Sequence, residues 1–401
     1  MKYKKGKKHL TVILLLLASS FGFAQNTNMS REAVIAKALE NNKGIKAAAL
    51  QVNKMQENIK SSFTFEKTNV YYSYDQNNLA LNNLPLKVFG VQQRFLFPTV
   101  YGVQKKANTS EFEKEKADYE LQKNKLSLQV AKTYEQIVYW QHQERLYSYL
   151  DSLYQNFSKA SDRRFELGET NYLEKITAQS KYRQIKTKLT QINFEKKAQY
   201  ESLQALVQSD EKISILEKEL VPIPTLDTTS NKAIHTAYLE SISKMYKSQI
   251  SLQKQHWLPD LNLEYFQGRN NGLSQSLYGF QVGIAVPILF SGNVSKTKVA
   301  QLESQSWEEQ KQNQEQKMTQ FIRQQQNEIA KYQESINYYN ATGKKLSEEI
   351  IKVANSSYKN GEIDFFQYIQ SLENAVAIKI EYVEAVLQFN SNQLELHYLN
   401  F

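Results

Sequence analysis

A chain of 401 residues that is 41% hydrophobic and 12% aromatic carries enough apolar side chain to fold, which excludes a disordered polypeptide. It holds no cysteine, so disulfides, thiolate metal sites, a cysteine nucleophile and an acyl-cysteine lipid anchor are all excluded. The formal net charge of +9 is concentrated at the N-terminus and is no argument for a nucleic-acid partner.

Residues 1–24 read as a secretory signal peptide. Lys2, Lys4, Lys5, Lys7 and Lys8 precede an apolar run from Leu10 to Leu17, and small residues lead to Gly22, Phe23 and Ala24. The run is shorter than the roughly 20 residues a spanning helix requires. Cleavage before Gln25 leaves 45 basic against 41 acidic residues, a net charge of +4 on a chain that works outside the cytoplasm.

A first helix is expected to open at the N-cap Ser30 and to run to about Ser62. Strands follow. Val70, Tyr72 and Tyr74 alternate with polar residues, as do Phe89, Val91, Phe95 and Phe97 within Val88–Phe97. Polar turns are expected at Asn77-Asn78 and Asn82-Asn83. The six prolines leave Thr99–Val221 and Ile288–Phe401 free of proline. Interior proline costs a helix roughly 3 kcal/mol, so these stretches suit long helices, over about 100–160 and 293–357. At about 1.5 Å per residue each would span about 90 Å, longer than an ordinary domain is wide. Leu146, Leu150, Leu153 and Phe157 step by alternating fours and threes, as do Ile329, Tyr332, Ile336 and Tyr339, and Tyr182, Ile185, Leu189 and Ile192. That is a coiled-coil seam. In the second half Leu261, Leu263 and Tyr265 alternate, a turn falls at Asn270-Asn271-Gly272, and Tyr278, Phe280, Val282, Ile284 and Val286 alternate with small or polar residues.

These elements recur at one offset of 193 residues. It relates Gly168 to Gly361, Leu96-Phe97 to Leu289-Phe290, Val91 to Ile284 and Tyr72 to Tyr265. The expected organisation is a first repeat over 25–208, a connecting segment over 209–229 containing Pro222 and Pro224, and a second repeat over 230–401. Four strands cannot close a membrane barrel, since the smallest single-chain barrels have eight. Three chains would supply twelve. The expected fold is therefore mainly α with a small β part: a long coiled-coil helical barrel plus four strands per chain, a homotrimer forming a 12-stranded outer-membrane β-barrel.

The chain resembles the TolC-type outer-membrane efflux proteins over nearly its whole mature length. The resemblance rests on the helix start Ala33–Asn42, on Trp257-Leu258-Pro259-Asp260 leading into a strand, on Val286–Gly292 leaving one, and on the glycine hairpins at Gly168 and Gly361. It implies an exit duct of a tripartite efflux system in the outer membrane of a Gram-negative bacterium, with its helical part in the periplasm. The implied partners are a periplasmic adaptor and an inner-membrane pump. Gln92–Tyr101 resembles members that accompany heavy-metal pumps of the resistance-nodulation-division type. The competing reading is a secreted periplasmic coiled-coil adaptor or scaffold without a channel.

Two sets of site residues follow. The hairpin tips Leu167, Gly168, Glu169 and Asn360, Gly361, Glu362 stand where the family meets its adaptor; plain helix-turn geometry would account for the glycines equally well. Tyr358 matches a gate tyrosine of the family and Glu174 its acidic partner, with coiled-coil packing as the alternative for Tyr358. The arginine of the family's other gate contact is missing, since Ile363 stands there. Gln367 and Gln370 occupy positions where the family often carries acidic rings, which predicts weak cation selection at that entrance; Asp364 is the other carboxylate nearby. No enzyme is expected. His9, His142, His235, His256 and His397 are scattered, and no phosphate-binding glycine loop occurs, so no catalytic residue, cofactor or metal site is assigned.

Overall fold

The computed structural model describes residues 28–79, 84–227 and 229–399. The signal segment and the Asn82-Asn83 turn lie outside them. In chain order the elements are β1 (Asn28–Met29), α1 (Arg31–Asn41), α2 (Lys43–Lys60), β2 (Asn69–Leu79), β3 (Pro85–Phe95), α3 (Pro98–Glu166), α4 (Tyr172–Val207), β4 (Ser214–Ile215), α5 (Thr229–Gln255), β5 (Asp260–Arg269), β6 (Leu277–Ala285), α6 (Ser291–Tyr338), a π turn (Tyr339–Gly343), α7 (Lys344–Lys359) and α8 (Phe365–Tyr398). They divide into two compact units. One holds residues up to Asn42, Leu126–Pro224 and Ala330–Ser391; the other holds Lys43–Lys125, Thr225–Ile329 and the chain from Asn392 onward.

In the first unit, helix starts obey their caps. The Ser30 hydroxyl accepts from the Ala33 N–H at 3.3 Å. The expected single first helix is instead two. Asn42 has ψ of 123°, outside the helical region, while its N–H still reaches the Ala38 carbonyl. Its side chain donates to the Leu206 carbonyl at 2.9 Å, so a tertiary hydrogen bond ends α1 where periodicity alone would continue it. The second long helix is also interrupted. Tyr339–Gly343 forms a π turn, and Tyr339 stacks on Tyr382 with ring centroids 3.9 Å apart. Gly343 is buried there; a Cβ on it would lie 3.2 Å from Ile378 Cγ2 and 3.3 Å from the Tyr338 ring. The seams are the core, with Leu150, Ile192 and Ile336 almost fully buried.

The segment before α5 is tied down by two devices absent from any sequence pattern. β4 pairs in parallel with β1, and the Tyr134 hydroxyl donates to the Met29 carbonyl at 2.8 Å and accepts from the Leu216 N–H at 3.2 Å. Asn390 accepts from the Ile223 N–H and donates to the Val221 carbonyl and to Glu135 Oε2, each within 3.0 Å. Arg31 completes this network at 3.1 Å from Glu135. Burial pushes the Glu135 carboxyl above the usual range, against the pull of Asn390 and Arg31.

In the second unit, β2, β3, β5 and β6 form one antiparallel sheet in that order. β2 continues through Asn77 and Asn78, where a turn was expected, and its pairing with β3 shifts register between Asp75 and Leu79. Leu96 and Phe97 lie past the end of β3. The turn at Asn270 forms as expected, with the Gly272 N–H donating to Asn270 Oδ1 at 2.9 Å. Period-two alternation gives the sheet two unlike faces. Val70, Tyr72, Phe89, Tyr265, Phe280 and Ile284 lie on one and are exposed, Phe280 at 79%. The opposite face carries Asn69, Tyr71, Gly90, Glu264, Phe266 and Gly279, in matching register.

Replacing Asn390 by Leu should lower stability by about 1–3 kcal/mol, because it orphans the Ile223 N–H and removes a donor from a buried carboxylate. Denaturant midpoints of the detergent-solubilised protein check this; an unchanged midpoint would show that the network is not integral to the fold.

Candidate functional site

Two helical hairpins meet in the first unit, α3 with α4 and α7 with α8, and both turn in the same way. α3 ends with the Glu169 N–H on the Arg164 carbonyl at 2.8 Å and the Gly168 N–H on the Phe165 carbonyl at 3.1 Å. α7 ends with the Glu362 N–H on Ser357 and the Gly361 N–H on Tyr358, at 2.8 and 3.2 Å. These are paired six-to-one and five-to-two closures around a left-handed residue. Gly168 and Gly361 have φ of 73° and 74°, the region that side chains disfavour.

The following helices start on side-chain caps. Asn171 Oδ1 accepts from the Glu174 N–H at 2.9 Å. In the second hairpin Asp364 Oδ1 accepts from the Gln367 N–H at 2.8 Å, and Gln367 Oε1 accepts from the Asp364 N–H at 3.1 Å. This is a reciprocal capping box. Asp364 and Gln367, both singled out for the channel entrance, thus have a local structural task, while Gln370 is exposed on the first turns of α8. The tip residues Leu167, Gly168, Glu169, Asn360, Gly361 and Glu362 are all exposed, Leu167 at 65%.

Behind the tips the hairpins are joined twice. Phe157 of α3 packs against Phe365, Tyr368 and Tyr358 with centroids 5.0, 5.2 and 5.5 Å away. Tyr358 and Tyr368 stack at 4.7 Å. Burial raises both phenols; for Tyr368 the value reaches about 12. Beside this cluster the structure brings Glu174 and Tyr358 together, as the two positions suggest. The Tyr358 hydroxyl lies 3.5 Å from Glu174 Oε1. While Ile363 still stands at the place of the other contact's arginine, Arg164, which the sequence reading did not single out, joins this pair. Its guanidinium donates to Tyr358 Oη at 2.8 Å and to Glu174 Oε1 at 3.3 Å. The Thr170 hydroxyl donates to Glu174 Oε2 at 2.5 Å. Glu174 is buried, so these donors replace the water it has lost. The part of Arg164 in this contact is what sequence reasoning missed. The signal was the Arg163-Arg164 pair in the last turn of α3, a place where cations suit the helix dipole.

The Arg164→Met and Tyr358→Phe changes should couple, with a double-mutant interaction energy of at least about 0.5 kcal/mol in unfolding free energy. Arg164 is partly exposed, so its ion pair alone is worth about 1 kcal/mol or less. Additive effects would mean that the phenol and the guanidinium do not act together.

Comparison with protein-family models and with curated protein sequences finds no match. Solved structures do match. The chain is similar to CusC, crystallised in a study of folding and transmembrane channel formation, with a TM-score of 0.76 at 14% identity over 92% of each chain. It is similar to the CmeC outer-membrane channel of Campylobacter jejuni, with a TM-score of 0.76 at 15% identity over 93% of this chain and 85% of that one. It is also similar to the outer-membrane protein VceC of Vibrio cholerae, with a TM-score of 0.74 at 14% identity over 92% of this chain and 95% of that one. At such identities the likeness is one of fold: this chain has the fold of these outer-membrane proteins.

Proposed function

We propose that three copies of this chain form an exit duct in the outer membrane of a Gram-negative bacterium. A twelve-stranded barrel crosses the lipid and a helical tunnel stands in the periplasm. The duct takes its cargo from an inner-membrane pump through a periplasmic adaptor. The observation that carries this reading is the sheet. Its apolar face is open over its whole width, and β2 and β6 are edge strands with no partner in the four-stranded order. Lipid suits that face, and only a closed ring of strands satisfies the backbone in hydrocarbon. The fold shared with known outer-membrane channels supports the same reading. No helix among the described residues is long and apolar enough to cross a membrane.

The tips Leu167–Glu169 and Asn360–Glu362 are assigned to adaptor contact, supported by their exposure and by the matched turns that present them. Glu174 and Tyr358 are assigned to the channel entrance, where Arg164 joins them. With amides at Gln367 and Gln370, that entrance should respond weakly to blocking multivalent cations. Heavy-metal cations are the proposed cargo and a resistance-nodulation-division pump the proposed partner, on the resemblance of residues 92–101 alone.

Fractionation separates the duct from a periplasmic scaffold. The expected result is a heat-modifiable trimer in the outer membrane; a soluble periplasmic monomer would sink the duct. Ile284→Arg, on the apolar face, should cost roughly 2–4 kcal/mol per site near mid-bilayer. Greater damage to barrel assembly from Gly283→Arg would invert the assignment of faces. Photocrosslinkers at 167 and 360 should trap an adaptor, whereas equal yields from exposed helix positions 194 and 334 would argue against docking at the tips.

A further inference from the structure

We infer that Glu264, tethered by Tyr71 on the polar face of the sheet, is the residue that gives the pore a preference for cations. The inference rests on the duct proposed above, in which this face lines the bore. Across the sheet, Tyr71 stands opposite Gly90, Gly90 opposite Phe266, and Phe266 opposite Gly279. Two rings thus alternate with two glycines over four strands. A Cβ on Gly90 would come 2.3 Å from Tyr71 Cζ and 2.5 Å from its hydroxyl oxygen, and one on Gly279 would come 2.6 Å from Phe266 Cζ. Both rings therefore lie over the neighbouring strand, in space that exists only because the residue beneath has no side chain.

For Tyr71 this posture has a chemical result. Its phenol crosses β3 at Gly90 and its hydroxyl donates to Glu264 Oε1 on β5, one strand beyond its own neighbour. The carboxylate is held but not neutralised, because a phenol brings no charge. The residues beside Glu264 in register are Gln92 and Gln281, which are also neutral. Among the described residues the cation of this face is Arg94, and it is already engaged, 2.6 Å from Asp260 and 3.8 Å from Glu66. A net negative charge therefore remains near the middle of β5. In a trimer three such carboxylates stand at one level, and a ring of carboxylates is a means by which pores favour cations. The amides at Gln367 and Gln370 provide no such charge, so the sheet takes on the discrimination.

The test is the reversal potential of the full-length trimer in planar bilayers under a potassium chloride gradient. The unmodified channel should prefer potassium, and Glu264→Gln should lower the potassium-to-chloride permeability ratio about two-fold or more. Tyr71→Phe keeps the charge and loses only the tether, so the sign of the preference should persist. Because the chain has no cysteine, Glu264→Cys creates a unique thiol. Labelling it with a sulfonatoethyl methanethiosulfonate should restore the cation preference, and a trimethylammonioethyl reagent should reverse it, both on trimers already shown to be folded by heat modifiability. A conducting trimer whose permeability ratio ignores Glu264→Gln and both labels would overturn the role of Glu264 while leaving the duct intact. Absence of any conductance in the unmodified protein would overturn the duct reading itself, and this inference with it.

Discussion

Every strand in the sheet has two sides, and β2 and β6 each spend only one of them inside the chain. Unpaired backbone groups are tolerable in water and cost several kcal/mol each in hydrocarbon. An apolar, uncovered face argues for hydrocarbon; open edges argue against it for a single chain. Both demands are met together only if edges pair between copies. The strands at the two edges are antiparallel to their inner neighbours, so joining β6 of one copy to β2 of the next continues the alternation without strain. On that reading the oligomer is a condition of the sheet's existence in the membrane, and the helices inherit the symmetry that the strands require.

The hairpins show how little sequence is needed to specify a sharp reversal. A glycine with positive φ, two carbonyl closures and an N-cap residue suffice in each. The two starts differ in kind. Asn171 caps with one side-chain bond, while Asp364 and Gln367 exchange two. The hairpins are then locked side by side by stacked aromatics and by a buried carboxylate whose donors come from α3, from the turn and from α7. Losing any one donor leaves the others aimed at a charge that cannot return to water, which makes the cluster more consequential than its surface-like arginine suggests.

Much of this was legible from residue patterns. Two-residue alternation gave all four strands and their faces, because the side-chain period of a regular strand is fixed by geometry; it did not give the ends, where β2 shifts register after Asp75 and β3 stops before Leu96. The glycine spacing gave both hairpins. Glu174 and Tyr358 were paired by position and do meet. Other features left no trace, each for a physical reason. The break at Asn42 depends on a hydrogen bond to Leu206, remote in sequence. The π turn at Tyr339 depends on what stacks against it. Arg164 looked like an ordinary basic residue at a helix end, and only the fold reveals what its guanidinium reaches. The capping box at Gln367 was written in the sequence as Asp364-x-x-Gln367, but reading the position by its place in a channel hid its place in a helix.

The π turn does not put the two arms out of step. From Pro98 to Gly168 and from Ser291 to Gly361 the chain counts the same number of residues. Beyond the π turn the buried positions Gly343, Ser347 and Ala354 still stand 193 residues from the buried Leu150, Tyr154 and Ser161 of α3. Equal position still means equal burial, but not equal chemistry. Phe165 stays within its own hairpin, beside Tyr172 and under Lys175, whereas Tyr358, its counterpart by count, reaches across to Phe157 and Arg164. One hydroxyl, present on Tyr358 and absent from Phe165, is what lets one arm hold the other, so two halves of the same plan become unlike partners.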